Sequence, residues 1–66
     1  MMTTYSIKAF GPYPFPCFRE GLKSRRALLR VMESLLSLGF SEFETFQDTK
    51  IQDGTIVRKL INNVAA

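Results

Sequence analysis

The chain has 66 residues, with nine Lys and Arg against six Asp and Glu, a single Cys and no His. A domain this short buries only about 60% of the surface its unfolded form exposes, so its core is small and a partner is a natural supplement. One Cys excludes an internal disulfide, and the missing His removes the usual general base and a common metal ligand, leaving poor material for catalysis.

At 45% hydrophobic and 23% charged residues the composition is that of a folded globular domain rather than a disordered tail. Arg30 and Glu33 interrupt the longest apolar stretch. It therefore falls short of the roughly 18 to 20 residues that cross a bilayer. The opening residues Met1 to Phe10 lack the apolar run of a signal peptide, so the expectation is a cytoplasmic protein that makes no use of a membrane. Charge is unevenly spread. Residues 1–31 carry Lys8, Arg19, Lys23, Arg25, Arg26 and Arg30 against Glu20, a net +5, whereas residues 32–66 carry three cations against five carboxylates, a net −2. Such polarity steers an oppositely charged partner or favours association of two copies.

Thr3 to Phe10 alternates, with Tyr5, Ile7 and Ala9 on one side and Ser6 and Lys8 on the other, and reads as a half-buried strand ended by Gly11. Pro12, Pro14 and Pro16 then fall at every second position, fixing φ and removing donors, which predicts an extended and stiff connection. Pro16 suits the first turn of a helix, where its missing N–H costs nothing.

From Phe18 to Leu38, the cations Arg19, Lys23, Arg26 and Arg30 recur at helical spacings of four, three and four. On one helix they lie within an arc of roughly 60°, beside an apolar face of Phe18, Leu22, Leu29, Met32 and Leu36. Ser24 is a good N-cap and offers a later start, and Gly21 weakens the longer helix by about 1 kcal/mol relative to Ala. The pattern of Phe18, Leu22 and Leu29 favours the longer helix. Beyond Arg26 the polar residues share an arc of roughly 100°, leaving an apolar arc wider than one small sheet usually covers. Gly39 is the natural stop.

Ser41 to Gln52 reads as a second strand in which Phe46 breaks the alternation, predicting a bulge or an exposed ring. Asp53-Gly54 signals a two-residue hairpin that pairs Ile51 with Ile56 and leads into a third strand over Thr55 to Ile61. A C-terminal helix competes over 55–64, because Ile56, Val57, Leu60, Ile61 and Val64 also fit a helical face; β-branching and the turn favour the strand. Residues Asn62 to Ala66 read as a frayed tail. The predicted fold is therefore a single α+β domain, 1–66, of β-α-β-β order: a three-stranded sheet with one amphipathic helix packed on one face.

Glu42 and Glu44 share a strand face, where solvation explains them better than a metal or an acid pair. Cys17 reads as a structural thiol. The run from Lys8 to Phe15 has a cation, an aromatic, a Gly and a later aromatic in the order of RNA-recognition motifs. Pro12 and Pro14, however, fall where a central strand must donate hydrogen bonds. No enzyme and no cofactor are expected. The function expected is a non-enzymatic binding module, acting as an inhibitor, adaptor or accessory subunit by occluding another protein's surface. Tyr13, Phe15 and Phe18 would be its apolar anchors, and Arg19, Lys23, Arg26 and Arg30 would pair with carboxylates or compete for a phosphate-binding partner. Small accessory proteins of phages share this size, by analogy only. The alternative is a nucleic-acid-binding protein that lays the same cations along phosphates. The wide apolar arc of the helix also favours a homodimer.

Overall fold

The computed structural model describes residues 2–65. Its elements are β1 (Met2–Phe10), β2 (Cys17–Leu22), α1 (Arg25–Ser37), β3 (Glu42–Lys50) and β4 (Ile56–Ala65). All neighbouring strands are antiparallel, in the sheet order β2-β1-β3-β4, and α1 lies on one face over β1 and β2. The architecture is α+β as expected, but with four strands in β-β-α-β-β order rather than three.

The extra strand is β2, and it replaces the first third of the expected helix. Gly21 has φ 74°, a left-handed backbone that no α-helix can run through, so the Phe18–Leu38 helix fails at that residue. Two residues, Glu20 and Gly21, stand opposite the single Ser6, a bulge between the pairs Tyr5–Leu22 and Ile7–Arg19. The Pro-bracketed connection from Gly11 to Pro16 thus turns the chain back on β1, and Pro16 precedes a strand rather than opening a helix. Pairing there satisfies backbone groups of β1 that a helix would have left to solvent. The helix starts at the later candidate: Ser24 has extended φ and ψ, and its hydroxyl accepts from the Ala27 N–H at 3.1 Å.

Gly39, at φ 103°, ends α1 as expected. The Phe40 N–H donates to the Leu35 carbonyl and the Gly39 N–H to the Leu36 carbonyl, the paired bonds of a Schellman motif. Since β2 and β3 both run antiparallel to β1, they are parallel to each other, and α1 must cross β1 to join them. That crossing places Leu28 and Leu35 on Ile7, Ala9 and Phe43, the buried apolar core.

The second hairpin sits where Asp53-Gly54 put it, with a different register. Its loop holds three residues, because the Gly54 N–H donates to Ile51 and Gly54 adopts φ 88° before the Ile51 N–H donates to Thr55. Lys50, not Ile51, therefore opposes Ile56. Residues 56–65 form the expected strand rather than the competing helix. Pairing continues through Asn62–Thr45 and Ala65–Glu42, so the frayed tail is not observed as far as Ala65, while Ala66 lies outside the described residues. Phe46 keeps the alternation and stays half-buried; the irregularity lies in β4, where Ile61 is the extra residue between the pairs Thr45–Asn62 and Phe46–Leu60.

Candidate protein-binding surface

Fixed φ angles at Pro12, Pro14 and Pro16 set the course of the β1–β2 connection, and one side chain ties it down. The Tyr13 hydroxyl donates to the Leu38 carbonyl at the end of α1, and its ring leans on Phe40 with centroids 5.0 Å apart. Two residues on, Phe15 is 78% exposed between Pro14 and Pro16. A ring held out on a stiff, anchored backbone loses little entropy when it docks.

Phe18 is on the other side of the molecule. It pairs with Lys8 on the sheet face away from α1, where no helix covers it. The centre of that face is occupied instead by Arg58 of β4. Its Nε donates to Asp48 Oδ1 at 2.7 Å and its Nη2 to Asp48 Oδ2 at 3.4 Å, while Nη2 also reaches Glu20 Oε2 at 3.5 Å on the far edge strand. The guanidinium lies over the rings of Phe18 and Phe46, 5.1 and 5.6 Å from their centroids. One side chain thus spans the sheet from edge to edge, leaving Asp48 only 5% exposed. The hydrogen bonding that Arg58 donates to the Asp48 carboxylate raises the Arg58 pKa above its ordinary value, against a smaller opposing effect of burial. Beside this ionic hub a cleft of about 320 Å³ opens between Met2, Gly21, Lys50 and Ile56.

The four cations of the expected helical stripe are divided. Arg19 is in β2 opposite Ile7, Lys23 is in the connection to α1, and only Arg26 and Arg30 share the helix. Strand register and the course of the chain into α1 sort every charge but that of Asp53, which lies in the β3–β4 loop. With the helix, the connection into it and its side of the sheet go Arg19, Lys23, Arg25, Arg26, Arg30 and Lys59 against Glu33, a net +5; the opposite face carries Lys8, Lys50 and Arg58 against Glu20, Glu42, Glu44 and Asp48, a net −1. Most cations of residues 1–31 thus gather on the helix side, and the opposite face is near neutral.

Arg19 and Arg30 meet again through the tertiary fold. They line a groove of about 310 Å³ between β2 and α1, together with Val31, Ser34, Leu35 and Leu38. Leu38 is also the residue whose carbonyl holds Tyr13, so the aromatic loop stands at one end of this groove. Among the described residues ion pairs form only at Arg58, which leaves Arg19, Lys23, Arg26 and Arg30 without carboxylate partners. Of the residues singled out in the sequence, Arg19 and Arg30 line this groove and Tyr13 and Phe15 stand at its end, whereas Phe18 lies on the opposite sheet face; Leu38, which was not singled out, joins the lining.

Cys17 is half-buried against the core cluster. Among the described residues no helix is long and apolar enough to cross a membrane, and no group of three acidic, Cys or His residues is placed to hold a metal ion. No family model matches the chain, and neither a curated protein nor a solved structure is significantly similar to it.

Proposed function

We propose that the chain is a non-enzymatic, cytoplasmic protein-binding module, an inhibitor, adaptor or accessory subunit, that docks an acidic protein surface against its helix side. The observation that carries this reading is the exposure of Phe15 on a loop pinned by Tyr13, at the end of a groove lined by unpaired arginines. Aromatic and Arg anchors in that arrangement are the usual energetic centre of a protein interface. The accessible surface, 4792 Å², also exceeds the ~4,200 Å² typical of a monomer of this mass. Its exposed side chains include Phe15, Leu29, Leu36, Leu38, Ile56 and Leu60.

The test is quantitative capture by the immobilised chain from nuclease-treated extract of its own cells, comparing wild type with Phe15→Ala at low and moderate salt. Capture of one protein that persists at moderate salt and falls at least tenfold with Phe15→Ala supports the reading. Retention indifferent to Phe15 overturns it.

A second reading, nucleic-acid binding, draws on the start of α1. Lys23, Arg25 and Arg26 cluster there with no acidic residue in the first turn, adding side-chain charge to the positive end of the helix dipole. Binding of that kind collapses with salt, with a slope near the number of phosphate contacts. A second copy of the chain is a further partner for the unpaired edge of β4, where Ile56, Val57, Leu60 and Ile61 are all exposed. Light scattering across a concentration series reports it directly.

A further inference from the structure

We infer that the groove between α1 and β2 binds the carboxylate of an acidic and aliphatic peptide segment, clamped by Arg19 and Arg30 above an apolar floor. The inference rests on the protein-binding reading above and specifies its ligand.

Arg19 and Arg30 are eleven positions apart and come from different elements, yet both line one groove. Neither has a carboxylate within ion-pair distance among the described residues. Glu33, the one acid on the helix, stays unpaired although it lies three positions from Arg30. Contrast Arg58 on the opposite face, which is met by Asp48 and Glu20. Two arginines that line one groove on a side of net +5 have no compensating charge there, and a bound anion supplies it.

The remaining lining decides which anion. Leu35 is buried and forms the floor, Val31 is half-buried, and Leu38 is 59% exposed at the end nearest Tyr13. An aliphatic side chain next to a carboxylate removes that apolar surface from water, whereas a phosphodiester backbone gains nothing from it. The planar forks of Arg match a carboxylate bidentately, and the Ser34 hydroxyl adds a donor on the same wall. At about 310 Å³ the groove sits at the small end of the ~300–1,000 Å³ usual for ligand pockets, enough for a few peptide side chains. A segment leaving it past Leu38 meets the Tyr13–Phe15 loop.

The experiment is a titration of the ¹⁵N-labelled full chain, at constant ionic strength, with the capped peptide acetyl-Ala-Leu-Glu-Glu-Leu-Ala-amide. The same peptide with both Glu replaced by Gln, and inorganic phosphate, serve as competitors in class. Saturable shifts are expected at the amides of Val31, Ser34 and Leu38 and at the Nε–H of Arg19 and Arg30. The Gln peptide should bind about tenfold more weakly, the loss expected when charge-assisted hydrogen bonds become neutral ones. The double variant Arg19→Gln with Arg30→Gln, shown folded by its amide dispersion, should lose the response. No saturable shift at millimolar peptide, equal binding of the Gln peptide, or equal binding of phosphate at the groove each overturns the inference. If it fails while capture still depends on Phe15, the protein-binding reading stands and only its ligand assignment falls. If capture ignores Phe15 while the peptide titrates, the reverse holds.

Discussion

Replacing Arg58 with Met tests whether one side chain closes the sheet face that no helix covers. The variant keeps much of the aliphatic stem and removes the guanidinium, leaving Asp48, whose side chain is 6% exposed, without its partner. Breaking a fully buried pair costs roughly 3–5 kcal/mol, but the Arg58 side chain is 41% exposed, so solvent screening reduces this to about 2 kcal/mol. The two ring contacts, at a partly exposed site, add about 0.5 kcal/mol each. The expected loss is therefore about 2–3 kcal/mol, out of the roughly 3–10 kcal/mol that a domain of this length possesses. In a thermal melt that is a drop on the order of 10–20 °C. Urea unfolding followed by circular dichroism, with the double-mutant cycle Arg58→Met and Asp48→Asn, isolates the pair. Its coupling should reach at least about 1 kcal/mol, while the cycle with Glu20→Gln, at 3.5 Å and 66% exposed, should give less than about 0.5 kcal/mol. A destabilisation by Arg58→Met below about 0.5 kcal/mol, with an unchanged m-value, would refute the idea that this arginine staples the sheet.

Two further outcomes follow from local structure. Ser24→Ala removes the hydroxyl that accepts from the Ala27 N–H and should cost about 1 kcal/mol by urea unfolding; a cost near zero would mean that water caps the helix equally well. Hydrogen bonding to Asp53 from the Thr55 side chain first, and then from the Thr55 N–H at 2.8 Å, holds its carboxyl below the ordinary 3.8. Because the folded value is the lower one, its stabilisation is present above pH 3.8 and fades as pH falls below it. The Thr55 amide shift should therefore titrate with a midpoint under 3.8, and that titration should vanish in Asp53→Asn; a midpoint at or above 3.8 contradicts the turn geometry.

Alternation between Tyr5 and Ala9 revealed β1 and its buried side, and Gly39 marked the end of α1, because each signal depends on a few neighbouring residues; Ser24 offered the start that the helix takes, but the spacing of Phe18, Leu22 and Leu29 outweighed it. The stripe of Arg19, Lys23, Arg26 and Arg30 misled because helical spacing is only a count. It assumed a continuous helix through Gly21, and the pairing of β2 with β1 decided otherwise. Register at the second hairpin shows the same limit on a finer scale. A two-residue loop at Asp53-Gly54 would oppose Asp48 with Lys59, while the three-residue loop opposes it with Arg58 and so creates the staple. The choice between the loops turns on how Gly54 and Thr55 close on Ile51, a matter of backbone conformation rather than residue type.

What the chain's residues determined alone is local or additive: a small α+β domain, no His chemistry, an excess of cations in the first half, and a stiff aromatic loop. Tertiary structure decided everything that depends on which strands are neighbours. It sorted the charges into a basic helix side and a near-neutral open face, moved Phe18 away from Tyr13 and Phe15, and brought Arg19 to Arg30 beside Leu38. The physical reason is that a strand's two faces alternate with every residue, so one bulge or one extra loop residue reassigns whole sets of side chains. That choice is made by the energy of the assembled sheet and core, which no short stretch of sequence contains.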